Sequence, residues 1–200
     1  SAVVTVAVPG ATPVNLWVPM ASGTTQELRA VWGASATNVF AVGQDGTLLR
    51  YDGTTWTAMT NSGPWLNGVW GTSASDVFVA GNAGTILHYD GTTWTAMTSG
   101  VNVDLRGVWG ASATDVFVVG NGGTILHYDG TRWSPMTSGS TNTLRGVWGS
   151  SRADVYAVGH DGTLLHYDGT NWAPVSHSAG NASFYGIWGA SGTSVFVASN

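Results

Sequence analysis

The sequence predicts an all-β fold, a five-bladed β-propeller with four antiparallel strands per blade. Three observations predict it. The composition is poor in helix formers: of 200 residues only 8% are charged and Lys is absent, while 29 Gly and 11 Trp stand in their place. The chain repeats itself, with residues 66–104 matching residues 105–143 at 27 of 39 positions. Its two ends hold complementary halves of that repeat. Periods near 40 residues with several short strands each are the mark of propeller blades.

The tryptophans give the period. Trp32, Trp70, Trp109, Trp148 and Trp188 form one column and Trp17, Trp56, Trp94, Trp133 and Trp172 a second, so ten of the eleven are accounted for by the repeat. Each copy contains four apolar runs rich in Val, Ile, Phe, Tyr, Thr and Trp, bounded by turn residues. In the second copy they are LNGVWG, DVFVAG, TILHYD and TTWTAM, here strands A to D. Asp90-Gly91 links C to D as a hairpin signal, repeated at Asp52, Asp129 and Asp168. Whole blades are expected at 28–65, 66–104, 105–143 and 144–183. The C-terminal segment has strands A and B only. The N-terminal VVTVAV and VNLWVPM take the C and D positions, with Trp17 and Met20 in the matching columns and a longer loop from Pro9 to Pro13. A split blade of 1–27 plus 184–200 is therefore expected to close the ring and cover its sheet edges, making 1–200 a single domain.

The run GVWGxSxxDVFxxGxxGTILHYDGTTW resembles tandem propeller repeats of bacterial surface and secreted proteins. It is more distantly similar to photosystem II stability factor-like and sialidase-type repeats. The sialidase Asp-box separates its Asp and Gly by one residue, whereas Asp90 and Gly91 are adjacent, so the motif is Asp-box-like only. The five-bladed architecture also resembles that of tachylectin-like lectins and of some glycoside hydrolases. The resemblance implies a fold and a secreted or cell-surface bacterial setting, and it leaves function open.

Several functions are disfavoured outright. Six scattered Arg, net charge −5 and a pI near 5.2 give no footprint for a phosphate backbone, so no nucleic-acid partner is expected. Without Cys or Lys there are no thiolate metal sites, disulfides, Cys nucleophiles or Schiff-base lysines. No apolar run approaches a membrane span, and Ser1 is not followed by a signal-like region. No cofactor, no metal and a monomer are expected.

Variation among the copies concentrates in the B–C and D–A loops, which share one face of the disc. A ligand site is expected there. Trp65, the Trp outside both columns, lies in a D–A loop, either as a sugar-stacking platform or packed over its blade rim. Gln44, Asn82, Asn121 and His160 open the B–C loops and are candidate groove liners. Arg29, Arg106 and Arg145 share one column at the start of strand A, with Asn67 and Tyr185 in its other places. They either converge on an anion at the channel mouth or pair locally with acids such as Glu27 and Asp104. Those two acids also raise a glycoside hydrolase. His88, His127 and His166 make a third column, whose members should diverge too far to share a metal. The leading expectation is a non-catalytic, lectin-like glycan-binding module. The alternatives are a protein-interaction or structural module of a bacterial surface protein, an amplified or designed repeat scaffold without an evolved ligand, or a hydrolase.

Overall fold

A computed structural model describes residues 3–7 and 17–199. The strands run in chain order. β1 (Val3–Ala7) and β2 (Trp17–Ala21) form a two-stranded sheet. Four sheets of four strands follow. The first holds β3 (Leu28–Ser35), β4 (Asn38–Gly43), β5 (Thr47–Tyr51) and β6 (Trp56–Asn61). The second holds β7 (Leu66–Ser73), β8 (Asp76–Gly81), β9 (Ile86–Tyr89) and β10 (Trp94–Met97). The third holds β11 (Leu105–Ser112), β12 (Asp115–Gly120), β13 (Ile125–Tyr128) and β14 (Trp133–Met136). The fourth holds β15 (Leu144–Ser151), β16 (Asp154–Gly159), β17 (Leu164–Tyr167) and β18 (Trp172–Pro174). β19 (Phe184–Ser191) and β20 (Ser194–Ser199) make a final pair.

Within a blade, strand A faces strand B so that Trp and Phe lie opposite each other, as Trp32 with Phe40 and Trp70 with Phe78. The rings stack, with Trp32 and Phe40 centroids 6.3 Å apart and 29° between planes. The core itself lies between blades. Phe40 of the first blade meets the edge of Trp94 of the second at 6.2 Å and 79°, and the same T-shaped contact joins Phe78 to Trp133 and Phe117 to Trp172. Trp94 and Trp172 also aim their indole N–H at the sulfur of the preceding blade's methionine, Met59 and Met136, at 3.5 Å.

A glycine in each strand A makes this approach possible. A Cβ added at Gly71 would lie 2.9 Å from Trp32, one at Gly110 2.5 Å from Trp70, and one at Gly149 2.6 Å from Trp109. Trp148 covers Gly189 in the same way. The strand-A tryptophans Trp32, Trp70, Trp109 and Trp148 are thus wedges, each seated on the next blade.

The C-to-D connection differs from a two-residue hairpin. Tyr89 pairs with Trp94, so residues 90–93 form a four-residue loop. Asp90 Oδ1 accepts the backbone N–H groups of Thr92 and Thr93 at 2.8 and 2.7 Å and the Thr92 hydroxyl at 2.7 Å. Asp52, Asp129 and Asp168 repeat the carboxylate-to-backbone bonds. Gly91 has φ of 96°, a left-handed conformation that a side chain would strain.

The strand-A members adjoin in series, β3 to β7 to β11 to β15 to β19. Among the described residues no strand pair joins β20 to β1, so the fastening expected of the split blade is not formed. The ends are accordingly bare: Val31 is 60% exposed where Val69 and Val147 are 8%, and Phe196 is 62% exposed where Phe78 is 1%. The loop from Pro9 to Pro13 lies outside the described residues.

Two outcomes follow from this packing. Gly110→Ala is expected to lower unfolding free energy by about 1–3 kcal/mol in urea titrations, whereas Gly186→Ala, whose Cβ would meet nothing within 4 Å, stays within about 0.5 kcal/mol. Bonds from backbone amides and threonine hydroxyls hold Asp52, Asp90 and Asp129 well below the ordinary carboxylate range, and the backbone amides of Asn171 and Thr170 lower Asp168. A depressed native pKa stabilises the fold above the unfolded value near 4 and loses that contribution as pH falls below it. Asp90→Ala should therefore lower the melting temperature at pH 7, and its deficit against the parent should shrink as pH falls from 4 to 2.

Candidate functional site

The B–C turns and D–A loops meet on the axial side. After strand B each of the first three whole blades makes a single 3-10 turn, Gln44–Gly46, Asn82–Gly84 and Asn121–Gly123. The first residue of the turn donates its N–H to the carbonyl just before strand A. Gln44 bonds Glu27 at 2.9 Å, Asn82 bonds Trp65 at 2.8 Å, Asn121 bonds Asp104 at 2.9 Å and His160 bonds Thr143 at 2.9 Å. This docking sets the turn's side chain beside the second residue of strand A.

The consequence is a repeated pair fifteen residues apart. Arg106 Nε donates to Asn121 Oδ1 at 3.0 Å, Arg145 Nε donates to His160 Nε2 at 2.6 Å, and Asn67 Nδ2 donates to Asn82 Oδ1 at 2.8 Å. Asn82, Asn121 and His160 are therefore supports of the axial column, not liners of an outer groove. For His160 to accept, its ring carries the proton on Nδ1. Gln44 holds the equivalent place in the first blade through its backbone bond.

Arg29, Arg106 and Arg145 do come together. With Glu27, Leu28, Asn67 and Tyr185 they line one cavity of about 560 Å³. Links between blades hold the rim: Arg29 donates to Asn67 Oδ1 at 3.1 Å, Asn67 donates to the Leu105 carbonyl at 2.7 Å, and the Arg145 guanidinium sits 5.1 Å over the Tyr185 ring. Local pairing is present as well. Arg29 lies 3.2 Å from Glu27 and Arg106 3.3 Å from Asp104. The three arginines thus line one cavity while two of them also pair locally, and among the described residues Arg145 has no carboxylate partner. Burial pulls the Arg106 guanidinium below its ordinary value; Asp104 opposes this, and the Arg145 and Arg29 charges add to it.

Trp65 is half-buried. Arg29 covers its ring at 4.3 Å, and its indole N–H donates to Asp45 Oδ1 at 3.2 Å. Asp45 reaches it from a left-handed turn position with φ of 54°. The rim-packing alternative describes this geometry better than an open stacking platform does. The pairing of Trp65 with Asp45 has no sequence signal, whereas the fifteen-residue offset between Arg106 and Asn121, Arg145 and His160, and Asn67 and Asn82 is a periodic signal in the sequence.

The histidine column is occupied by a separate device. His88, His127 and His166 each meet the aspartate that opens their own strand B, Asp76, Asp115 and Asp154, at 2.7 to 2.8 Å. In the first blade both members change together, and Arg50 donates to Asn38 at 2.6 Å. Among the described residues no three His, Cys, Asp or Glu side chains converge as metal ligands. A second cavity of about 590 Å³ opens between the first and second blades around Met59, Pro64 and Trp94, and no charged side chain lines it.

Repeated four-stranded antiparallel sheets, interlocked in series and surrounding an axial cluster, define the propeller class. One solved structure agrees in fold. The chain is similar to YCF48 from Cyanidioschyzon merolae, with a TM-score of 0.70 at 12% identity over 92% of this chain and 68% of that one. It is also similar to a YCF48 bound to D1 peptide, with a TM-score of 0.49 at 15% identity over 88% and 91% of the two chains. No protein-family model and no curated protein matches the sequence.

The Trp65 stack has a measurable worth. Trp65→Ala is expected to cost about 1 kcal/mol through loss of the cation–π contact and its packing, while Trp65→Phe, which keeps a ring under Arg29, costs less than half as much in the same denaturant titration.

Proposed function

We propose that this chain is a non-catalytic binding module whose axial cup, formed by Arg29, Arg106 and Arg145, receives carboxylate groups of a protein partner. The convergence of three guanidinium groups on one cavity with only Glu27 and Asp104 to balance them carries the reading. An arginine fork matches a carboxylate bidentately, and partial burial strengthens that pairing. The supports Asn121 and His160 hold two of the forks in place, which lowers the ordering cost of binding.

A glycosidase reading has less to stand on. Glu27 and Asp104 are each engaged by the arginine two residues on, and Asp104 also accepts the backbone N–H of Ala83. A neutral-sugar lectin needs an open aromatic face with free hydrogen-bonding side chains beside it, and here Trp65, Asn82, Asn121 and His160 are already engaged. One observation favours a second reading, an acidic sugar: Tyr185 is 48% exposed at the cup's rim beside Arg145.

Calorimetry separates these readings. Peptides rich in Glu and Asp are expected to bind, their Gln and Asn counterparts are not, and affinity should fall several-fold between low and high salt. Arg106→Ala and Arg145→Ala should each weaken binding by at least tenfold. Equal binding of the acidic and amide peptides would refute the proposal, and binding of a uronic-acid oligosaccharide but of neither peptide would favour the sugar.

A further inference from the structure

The two ends of the array expose matching halves of a contact that the interior repeats, its tryptophan-on-glycine part four times and its phenylalanine part three. In the interior, a strand-A Trp seats on the next blade's glycine, as Trp32 on Gly71, and a strand-B Phe inserts against the next blade's Tyr and Trp, as Phe40 against Tyr89 and Trp94. At the C-terminal end Trp188 and Phe196 are stacked on each other at 6.3 Å and stand 61% and 62% exposed, with no following blade. At the N-terminal end Gly33 has no tryptophan over it; an added Cβ would meet only its own blade, first at Val39. Tyr51 and Trp56 there are stacked at 5.2 Å, as Tyr89 and Trp94 are at 5.0 Å.

The strand pairs are complementary in the same sense. β1 and β2 pair Ala7 with Trp17 and Val4 with Met20, the register in which β9 and β10 pair Tyr89 with Trp94 and Ile86 with Met97. They are a C–D pair lacking A and B. β19 and β20 pair Trp188 with Phe196, as β7 and β8 pair Trp70 with Phe78. They are an A–B pair lacking C and D.

We propose that these ends bind each other between molecules: the N-terminal hairpin and first blade of a second copy of this chain dock on β19 and β20, and the β20 edge is completed by β1 of that copy. The interior register, Val77 opposite Tyr89, then places Val195 opposite Ala7 of the second copy. A second copy is the occupant because, among the described residues, β19 and β20 pair with neither β1 nor β3, and the faces left exposed at the two ends, Val31 at one and Trp188 with Phe196 at the other, are the halves that the interior register fits together. Association between molecules leaves the interior contacts unchanged. Such a head-to-tail contact builds a ring where the rotation closes and an open chain where it does not.

The chain has no cysteine, so introduced ones report on this contact alone. Ala7→Cys protein mixed with Val195→Cys protein and oxidised is expected to give a disulfide-linked pair, far more than a Ser151→Cys collision control. Light scattering should show mass rising with concentration through multiples of 20.7 kDa. Trp188→Ser/Phe196→Ser alters only exposed side chains, and it should keep the circular dichroism spectrum and weaken association by at least tenfold. A mass of one chain at every concentration would overturn the proposal. So would a disulfide formed within the doubly substituted Ala7→Cys/Val195→Cys chain while the mixed single variants give none, because the chain's own ends would then be the partners.

Discussion

Everything in this molecule depends on one contact, the tryptophan of each strand A resting on the backbone of the next blade where a glycine leaves room. An isolated four-stranded sheet has two faces to cover and little core of its own. Here each blade's apolar residues are buried by its neighbour, and the clusters are built across the boundaries, with Phe40 and Val42 of one blade packed with Leu66, Val77 and Tyr89 of the next. Stability in such an array is a sum over neighbouring interfaces. The end units are then its weak places, and the exposures of Val31, Trp188 and Phe196 locate them.

The same contact explains how a nearly repetitive chain holds an asymmetric site. Trp, a Phe or Tyr, Gly and turn Asp recur in every whole blade because they define the wedge and its loops. The axial position next to them takes no part in the wedge. It is free to be Arg, Asn, Arg, Arg and Tyr in successive blades, and in the first four the B–C turn is docked beside it by a backbone bond that does not depend on side-chain identity. The rigid repeat therefore positions variable residues, which is the arrangement expected of a binding surface on a stable scaffold.

Much of the architecture was legible in the sequence because its causes are local or periodic. Strand B is read correctly as DVFVAG, and β1 and β2 are read as a C–D pair from Trp17 and Met20 alone. The hairpin was read too simply, since Asp90-Gly91 marks a turn but the carboxylate's bonds to residues 92 and 93 lengthen the loop. Closure was not legible. It depends on an angle of packing between blades, a summed property of many contacts that no residue announces. At the site, the Arg column could be read from its period, but the fate of Trp65 could not, because its ring is claimed by Arg29 and its N–H by Asp45, residues 36 and 20 positions away.

The electrostatics sharpen what the axial cluster is for. The chain carries net charge −5, and its acids are mostly consumed by structure: Asp52, Asp90, Asp129 and Asp168 in hairpins, Asp76, Asp115 and Asp154 against histidines. Arginines sit elsewhere in small number, and half of the six face a single cavity. Crowding like charges in a partly buried place opposes folding, as the lowered Arg106 value reflects, and ordinary pairing would have relieved it with one more acid in the column. That acid is missing at Thr143, two residues before Arg145, where Glu27 and Asp104 stand in the corresponding places. The unbalanced charge is thus confined to one blade's contribution, and Arg145 is held there by His160, which directs the guanidinium without supplying a carboxylate. A fork so oriented matches the geometry of a carboxylate, which is the physical basis of the binding proposed for the axial cup.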